Sequence, residues 1–217
     1  MTSKNYEEIW RKKHVQEMWT TPDSEVSALL ETLRQRKVKR ILDVGFGLGR
    51  HLVLLAKEGF ETYGIELSQS GYEYCSKWLE IEGLTADLRL ANMISLPYEN
   101  AFFDFVIAYN VIYHGTFQQM KKALEEIHRV LRQDGLAYIT LYSVRNRNFG
   151  VGSEIEPNTF LNPKKHDGDL PHHYSDEQEV RSLFENWKII SLKDCEQTLA
   201  GKIYKDTYHW MLLAIRL

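Results

Sequence analysis

Three glycines at alternate positions, Gly45, Gly47 and Gly49, form the stretch best suited to chemistry. An apolar segment at 41–44 precedes them and predicts a short buried strand, and the apolar spacing of 51–57 predicts the start of a helix. A strand, a glycine turn and a helix in succession place backbone N–H groups beside a ligand, with no side chain in the way. The stretch therefore predicts a ligand-binding loop.

The spacing of these glycines distinguishes two kinds of nucleotide site. Dinucleotide-binding dehydrogenases carry G-x-G-x-x-G, and here Arg50 occupies the place of the third glycine in that pattern. An acidic residue, Asp43, lies two positions before Gly45. This D-x-G-x-G-x-G arrangement resembles motif I of the class I S-adenosylmethionine-dependent methyltransferases. An NAD-type oxidoreductase stays the alternative, and Arg50 argues against it.

The resemblance assigns the cofactor contacts residue by residue. It implies that Asp43 and the loop from Gly45 through Gly47 to Gly49 meet the methionine part of S-adenosylmethionine. A predicted second strand at 59–66 ends in Glu66, whose carboxylate can accept both ribose hydroxyls, and Leu67 follows it.

A third short strand is predicted at 86–91, and Asn92 and Met93 follow it. In the methyltransferase pattern an Asp or Asn here meets the adenine amino group, and Met93 or Ile94 supplies apolar contact to the ring. Asp is more usual at this position, so Asn92 keeps an acceptor oxygen and loses the charge.

A further run, 96–109, resembles the L-P-[FY]-x-x-x-x-F-D-x-V signature of small-molecule methyltransferases of this class. It predicts a buried fourth strand, with Asn110, Tyr113 and His114 just past its carboxyl end, where open parallel sheets place ligands. We assign Asn110 to the cofactor. Neither the [N/D/S]-P-P-[Y/F/W] element nor the Pro-Cys pair of base-methylating enzymes is present, which disfavours those nucleic-acid chemistries.

Methyl transfer is an in-line displacement at a sulfonium, so the protein mainly aligns the nucleophile and excludes water. A general base is needed only if the acceptor is protonated at neutral pH. His114 is the first candidate, followed by His172 and His173. Each is equally well explained as a pocket wall.

Substrate contacts are assigned to aromatic side chains, namely Trp10, Trp19, Tyr113 and Tyr174. Residues 1–36 predict a cover of two helices, the first around 5–18 and the second carrying apolar residues at helical spacing. This cover is either a lid over the acceptor or a packed cap, and the sequence leaves both open.

The irregular segment 143–175 is the expected seat of acceptor specificity, because long connections in compact domains are often functional. A metal site can be built there from side chains that suit divalent ions, which are His166, Asp167, Asp169, His172 and His173. Their spacing matches no metal motif, so no metal is assigned.

Composition narrows the partners. The chain has 217 residues and a net charge of -3, which gives no basic surplus for nucleic acid. Cys75 and Cys195 suit neither a disulfide framework nor a zinc site. The chain begins without a signal-peptide core and has no apolar membrane span. A cytoplasmic monomer or homodimer with a small-molecule methyl acceptor is expected, with no membrane partner.

The resemblance implies one α/β methyltransferase domain over 1–217. Its seven-stranded, mostly parallel Rossmann-like sheet has the order 3-2-1-4-5-7-6, with strand 7 antiparallel and helices on both faces. Its parts are the cover (1–36), the cofactor-binding core (38–142), the substrate loop (143–175) and a C-terminal helix and strand pair (176–217). The last part loosely resembles tellurite-resistance methyltransferases. A non-catalytic cofactor- or partner-binding module of the same fold stays an alternative function.

The glycine interpretation predicts the effect of Gly47→Val. A β-branched side chain would fill the space in which the ligand meets the backbone, so cofactor affinity should be lost while the domain stays folded. Calorimetric titration with S-adenosylhomocysteine, with circular dichroism as the folding control, measures this. Unchanged affinity in a folded variant contradicts the interpretation of the loop.

Overall fold

The computed structural model describes residues 4–164 and 170–217. Its helices are α1 (Lys4–Ile9), α2 (Lys13–Met18), α3 (Ser24–Gln35), α4 (Arg50–Lys57), α5 (Gln69–Glu82), α6 (Phe117–Val130) and α7 (Glu177–Leu183). Its strands are β1 (Arg40–Val44), β2 (Glu61–Glu66), β3 (Asp87–Leu90), β4 (Phe103–Ala108), β5 (Leu131–Ser143), β6 (Ser153–Glu156), β7 (Thr159–Leu161), β8 (Pro171–Ser175), β9 (Trp187–Leu199) and β10 (Lys202–Arg216).

The main sheet confirms the predicted α/β class and the order of its seven principal strands. Parallel strands run β3-β2-β1-β4-β5. On the free edge of β5 lies β10, antiparallel to it, and β9 pairs antiparallel with β10. β9 and β10 thus take the places of the predicted strands 6 and 7. No helix within the described ranges is long and apolar enough to cross a bilayer.

Alternation along the strands sends apolar side chains to two cores, one on each face of the sheet. Leu42 of β1 packs on the face covered by α6, in one cluster with Ile127. Its neighbour Ile41 points to the opposite face, in a cluster with Leu33 of α3 and Leu55 of α4. The predicted helices on both faces are therefore present.

The predicted strand count of seven was wrong, because the described ranges hold ten strands. The extra three, β6 to β8, lie in the segment predicted to be irregular. β6 is short and mostly polar and β7 has only three residues, so their structure depends on antiparallel pairing that periodicity does not reveal. Tyr142 of β5 pairs with both His209 of β10 and Tyr174 of β8. β8 must therefore pair with the same edge of β5 as β4 does, beyond the point at which β4 ends.

Several predicted bounds also change. The first predicted helix is two short helices, α1 and α2, separated by a turn. The apolar run 136–142 predicts a fifth strand, and β5 begins earlier, at Leu131. Strands predicted at 187–192 and 207–215 are extended in β9 and β10 by a polar hairpin end that the apolar pattern does not reveal. The sequence also predicts a helix that Ser68 caps and Gly83 ends, and α5 matches it: the Ser68 hydroxyl accepts the Gly71 N–H, and Gly83 lies in the left-handed region.

One carboxylate ties together the amino ends of the central strands. Asp104 Oδ2 of β4 accepts the backbone N–H groups of Lys39 and Arg40, at 2.7 and 2.8 Å. Its other oxygen lies 2.9 Å from Nε of Arg132 at the start of β5. Asp104 thus joins the amino ends of β1, β4 and β5.

Asp104→Asn should destabilise the fold by about 1–3 kcal/mol, because charge-assisted hydrogen bonds are replaced by neutral ones. Urea denaturation measures the difference in the free energy of unfolding, provided that the m-value is the same in both proteins. Asp134→Asn is the matched control: Asp134 is exposed and left-handed (φ 59°), a conformation that Asn also adopts, so about 0.5 kcal/mol or less is expected. Equal effects of the two changes would contradict the role of Asp104.

Candidate active site

A cleft lies at the carboxyl ends of β1, β2 and β4 and has two adjoining chambers. The first chamber measures about 960 Å³ up to its open mouth, and its walls include Glu66, Leu67, Asn92, Met93 and Pro171. The second chamber is walled by Asp43, Arg50, Tyr109, Tyr113 and Tyr142, among others. Six residues line both chambers: Tyr6, Trp10, Gly45, Gly47, Asn110 and His114.

The glycine loop forms the boundary between the chambers. Gly49 has φ +93° and leads into α4, and a Cβ there would overlap Sγ of Cys75. Gly47 has φ +57°, and a Cβ there would lie 3.2 Å from the indole of Trp10. The space beside Gly47 is therefore occupied by Trp10, which gives substitution at this position a second steric cost.

Glu66 holds this loop against the end of β2. Its Oε2 accepts the Gly47 N–H at 2.7 Å, and its Oε1 accepts the N–H groups of Leu67 and Ser68 at 2.8 and 2.9 Å. Burial raises the pKa of Glu66, and the three donors oppose that shift. Because a carboxylate has about four acceptor sites, one remains for a ligand hydroxyl.

Asn92 and Met93 line the first chamber, on the loop after β3. The amide oxygen of Asn92 already accepts the Ile94 N–H, at 3.2 Å. Arg129 of α6 holds the far end of this loop, donating to the carbonyls of Leu96 and Tyr98 at 2.9 and 2.8 Å. The loop that carries this chamber wall is thus braced by α6.

Asn110 takes a rare backbone conformation just past β4. Its φ is +57°, although it is not glycine. The hydroxyl of Thr140 accepts its backbone N–H at 2.7 Å and donates to its Oδ1 at 3.2 Å. Its buried Nδ2 has no hydrogen-bond partner among the described residues. The side chain is therefore oriented by Thr140, with a donor left over beside both chambers.

The N-terminal helices contact both chambers. Glu7 of α1 accepts the N–H groups of Gln69 and Ser70 at the start of α5, at 2.7 and 3.0 Å. The Trp10 ring lies over Gly47, and Trp19 meets it edge-on with ring centroids 5.8 Å apart. This cover is fastened to the cofactor-binding core at Glu7 and Trp10.

Two of the predicted histidines meet at the cleft. Nδ1 of His114 lies 2.9 Å from Nε2 of His172, and Nε2 of His114 lies 3.4 Å from the hydroxyl of Tyr6. His114 lines both chambers, whereas His172 is buried behind it. β8 supplies this contact, since His114 and His172 form a β-bridge.

His173 is not brought into the cleft. Its Nδ1 lies 2.7 Å from the hydroxyl of Thr159, and its Nε2 lies 2.7 Å from Oε1 of Glu179. Tyr174 is also buried outside both linings and stacks on Tyr142, with centroids 5.0 Å apart. Tyr113 does line the second chamber and stacks on the other side of Tyr142 at 3.8 Å.

Two buried groups of opposite charge line the second chamber. Asp43 is 3% exposed, and its Oδ2 has no hydrogen-bond partner among the described residues. Burial raises the pKa of Asp43 to about 7, while Arg50 pulls it down and Glu66 raises it further. Arg50 is 5% exposed, and its Nη1 is likewise without a partner in the described ranges. A ligand that supplies both a hydrogen-bond donor and an acceptor would satisfy these buried, unpartnered atoms.

Sequence reasoning missed several members of the site. Thr140 is hidden in an apolar strand, and Glu7 and Tyr142 act through contacts distant in sequence. In the sequence Arg50 argued only against a dehydrogenase. A charged residue at the start of an apolar helix beside the glycine loop could also have indicated a ligand contact. Of the metal interpretation, His166, Asp167 and Asp169 lie outside the described residues. Among the described residues no three potential ligands cluster around one point.

Comparison with known proteins identifies the fold and the motif. Residues 42–139 match the family model for a methyltransferase domain. A tRNA (carboxymethyluridine(34)-5-O)-methyltransferase of Arabidopsis thaliana is 31% identical over 61% of this chain and 30% of its own length. Norajmaline N-methyltransferase of Rauvolfia serpentina is 30% identical over 51% of this chain and 38% of its own length. The chain thus spans well under two thirds of these relatives.

Among solved structures, a methyltransferase of Methanosarcina mazei described as SAM-dependent superposes with a TM-score of 0.69. It is 20% identical, and the match covers 82% of this chain and 92% of that one. The fold is therefore shared over nearly the whole of both chains. The family model spans β1 to β5, and it supports the resemblance to the class I S-adenosylmethionine-dependent methyltransferases that the glycine motif predicted.

Proposed function

We propose that the protein transfers the methyl group of S-adenosylmethionine to a small-molecule acceptor. The observation that carries the proposal is a set of buried polar atoms without partners beside the glycine loop. Oδ2 of Asp43 and Nδ2 of Asn110 both lack a hydrogen bond within the described ranges, and both residues line the cleft. Such atoms destabilise a protein unless a ligand or water satisfies them.

The proposed cofactor contacts follow the two chambers. The adenosine part lies in the first chamber, with the remaining acceptor site of Glu66 for the ribose and the loop of Asn92 and Met93 for the adenine. The methionine part passes Gly47 and reaches Asp43 in the second chamber. The carboxylate of Asp43 then accepts a hydrogen bond from the α-ammonium group.

When bound, the cofactor supplies an electrophilic sulfonium methyl. The protein's contribution is to align the nucleophile and exclude water. Trp10 and Trp19 close one side, and the stacked pair Tyr113 and Tyr142 closes another. Asn110 lies between the chambers, where its rigid amide can orient either ligand.

We propose His114 as the general base for acceptors that are protonated at neutral pH. Its Nδ1 lies 2.9 Å from Nε2 of His172, which orients the ring, and its Nε2 lies 3.4 Å from the hydroxyl of Tyr6 at the wall of both chambers. His172 acts here as a positioning residue. His173 is a structural residue in this proposal, because Thr159 and Glu179 hold both of its ring nitrogens away from the cleft.

The acceptor proposed is small and partly aromatic. Aromatic side chains contribute to the wall that the two chambers share, where Tyr6 and Trp10 provide apolar surface. A net charge of -3 offers little attraction to a polynucleotide. The tRNA methyltransferase among the relatives nevertheless makes tRNA a second candidate acceptor.

Methyl transfer is tested with tritium-labelled S-adenosylmethionine against a panel of phenols, amines, thiols and carboxylic acids, and against bulk tRNA. We expect label in a small acceptor and none in tRNA. Asp134→Asn is the variant expected to retain activity, since its side chain lies outside the site. Label in tRNA alone would move the proposal to the second candidate.

Binding data separate the remaining alternatives. Micromolar affinity for S-adenosylhomocysteine without transfer to any acceptor would favour a non-catalytic module of this fold. Binding of NADH and none of S-adenosylhomocysteine would overturn the proposed function.

The raised pKa of Asp43 predicts pH-dependent binding. In the free protein the carboxyl is protonated below about pH 7, and the proposed bond to an ammonium group requires the ionised form. Affinity for S-adenosylhomocysteine should therefore rise as pH increases from 5.5 to about 7 and then level off. Asp43→Asn should bind about tenfold or more weakly at pH 8 and lose this part of the slope.

Calorimetric titration at several pH values gives the pH dependence of affinity for the wild-type protein and for Asp43→Asn. Arg50, Glu66 and Cys75 also interact electrostatically with Asp43, so the difference between wild type and variant isolates its contribution. An identical slope in the two proteins would show that Asp43 does not meet the ammonium group.

A further inference from the structure

Arg50 carries a charge that the proposed function has not used. It is the first residue of α4 and is 5% exposed. A buried guanidinium destabilises the fold unless it is paired, and the start of a helix is an unfavourable place for a cation. A position with two such costs calls for a compensating partner.

The immediate surroundings of Arg50 compensate its charge only in part. Its guanidinium carbon lies 4.8 Å from the ring centroid of Trp19 and 5.1 Å from that of Tyr109. These rings stabilise a cation over their faces but accept no strong hydrogen bond in the guanidinium plane. The carboxylates of Asp23 and Asp43 also attract the guanidinium electrostatically, without a direct ion pair within the described ranges. Nη1 keeps an N–H without a partner among the described residues, and Arg50 lines the second chamber.

The second chamber offers matched groups of opposite sign. Asp43 Oδ2 is an acceptor without a partner, and Arg50 Nη1 is a donor without a partner. His51 adds no charge, because burial and the charge of Arg50 hold its pKa well below the usual value. A zwitterionic amino-acid group, with one ammonium and one carboxylate, would satisfy both unpaired atoms.

The position of the second chamber indicates that this amino-acid group is the methionine part of the cofactor. Gly45 and Gly47 line both chambers, so a ligand with its nucleoside in the first chamber extends past them into the second. We propose that Arg50 binds the α-carboxylate of the cofactor and selects ligands that carry it. This inference rests on the proposed function. It makes Arg50 a specificity-determining residue, whereas in the sequence Arg50 was only an argument against a dinucleotide-binding dehydrogenase.

The test compares two ligands that differ by one carboxylate. They are S-adenosylhomocysteine and its decarboxylated analogue, 5′-S-(3-aminopropyl)-5′-thioadenosine, each titrated by calorimetry into the full chain. Losing one partner of a buried charge pair weakens binding on the order of 30-fold or more. We expect the wild-type protein to prefer S-adenosylhomocysteine by about this factor.

Variants at Arg50 locate the preference. In Arg50→Gln we expect S-adenosylhomocysteine to bind about as weakly as its analogue, so that the ratio of the two dissociation constants falls towards one. Arg50→Lys keeps the charge without the planar fork and should give an intermediate ratio. Lys57→Gln removes a cation from the exposed end of the same helix and is the matched control, with the wild-type ratio expected.

Two results would overturn the inference. One is equal affinity of the wild-type protein for both ligands. Arg50 would then bind an acidic methyl acceptor or stabilise the fold, and would not bind the cofactor's carboxylate. The other is a wild-type ratio in Arg50→Gln. If that variant does not fold, the wild-type comparison and Arg50→Lys still decide. If the wild-type protein binds neither ligand, the proposed cofactor itself fails, which is a different result from loss of the ratio alone.

Discussion

The site depends on one carboxylate, that of Glu66, which joins the ends of two neighbouring strands. Its oxygens accept N–H groups from Gly47, after β1, and from Leu67 and Ser68, after β2. This holds the glycine loop in its left-handed turn and places Gly47 beneath Trp10. The shape of the first chamber, the start of α4 and the seat of the N-terminal cover all follow from that loop. Glu66 therefore builds the site as well as lining it.

Short-range patterns predicted the part of the structure that short-range physics determines. The turn at Gly45 to Gly49, the cap at Ser68 and the strands β1 to β4 each depend on neighbours in sequence, and they were found close to where they were expected, while β5 begins earlier than expected. Strands β6 to β8 and the bracing of Asn110 by Thr140 depend on partners about 30 or more residues away, or on pairing without periodicity. His173 and Tyr174 were candidates by residue type, yet only the pairing of β8 determines which way each points. Side-chain direction on a short strand reverses with a shift of one residue, so the sequence left it open.

Two distant segments of the chain enclose the cleft from opposite sides. The N-terminal cover brings Tyr6 and Trp10, and β8 brings His172 with its neighbour Pro171. The two meet at His114, whose ring lies between Tyr6 and His172. The parallel sheet supplies the floor of the cleft, and these two segments supply its walls. This division explains how a shared sheet can serve relatives that methylate such different acceptors.

The placement of β8 has an evolutionary consequence. Because β4 ends at Ala108 while β5 continues to Ser143, the sheet leaves one edge of β5 open, and β8 occupies that vacancy through only two residue pairs. An edge of this kind accepts backbone of almost any sequence. The segment from 144 to 175, which ends with β8, can therefore change in length or sequence, and a change in β8 would present different side chains to His114 without disturbing Glu66. If the proposed function holds, this architecture separates the cofactor site from the acceptor site, and it offers a natural graft point for altering specificity.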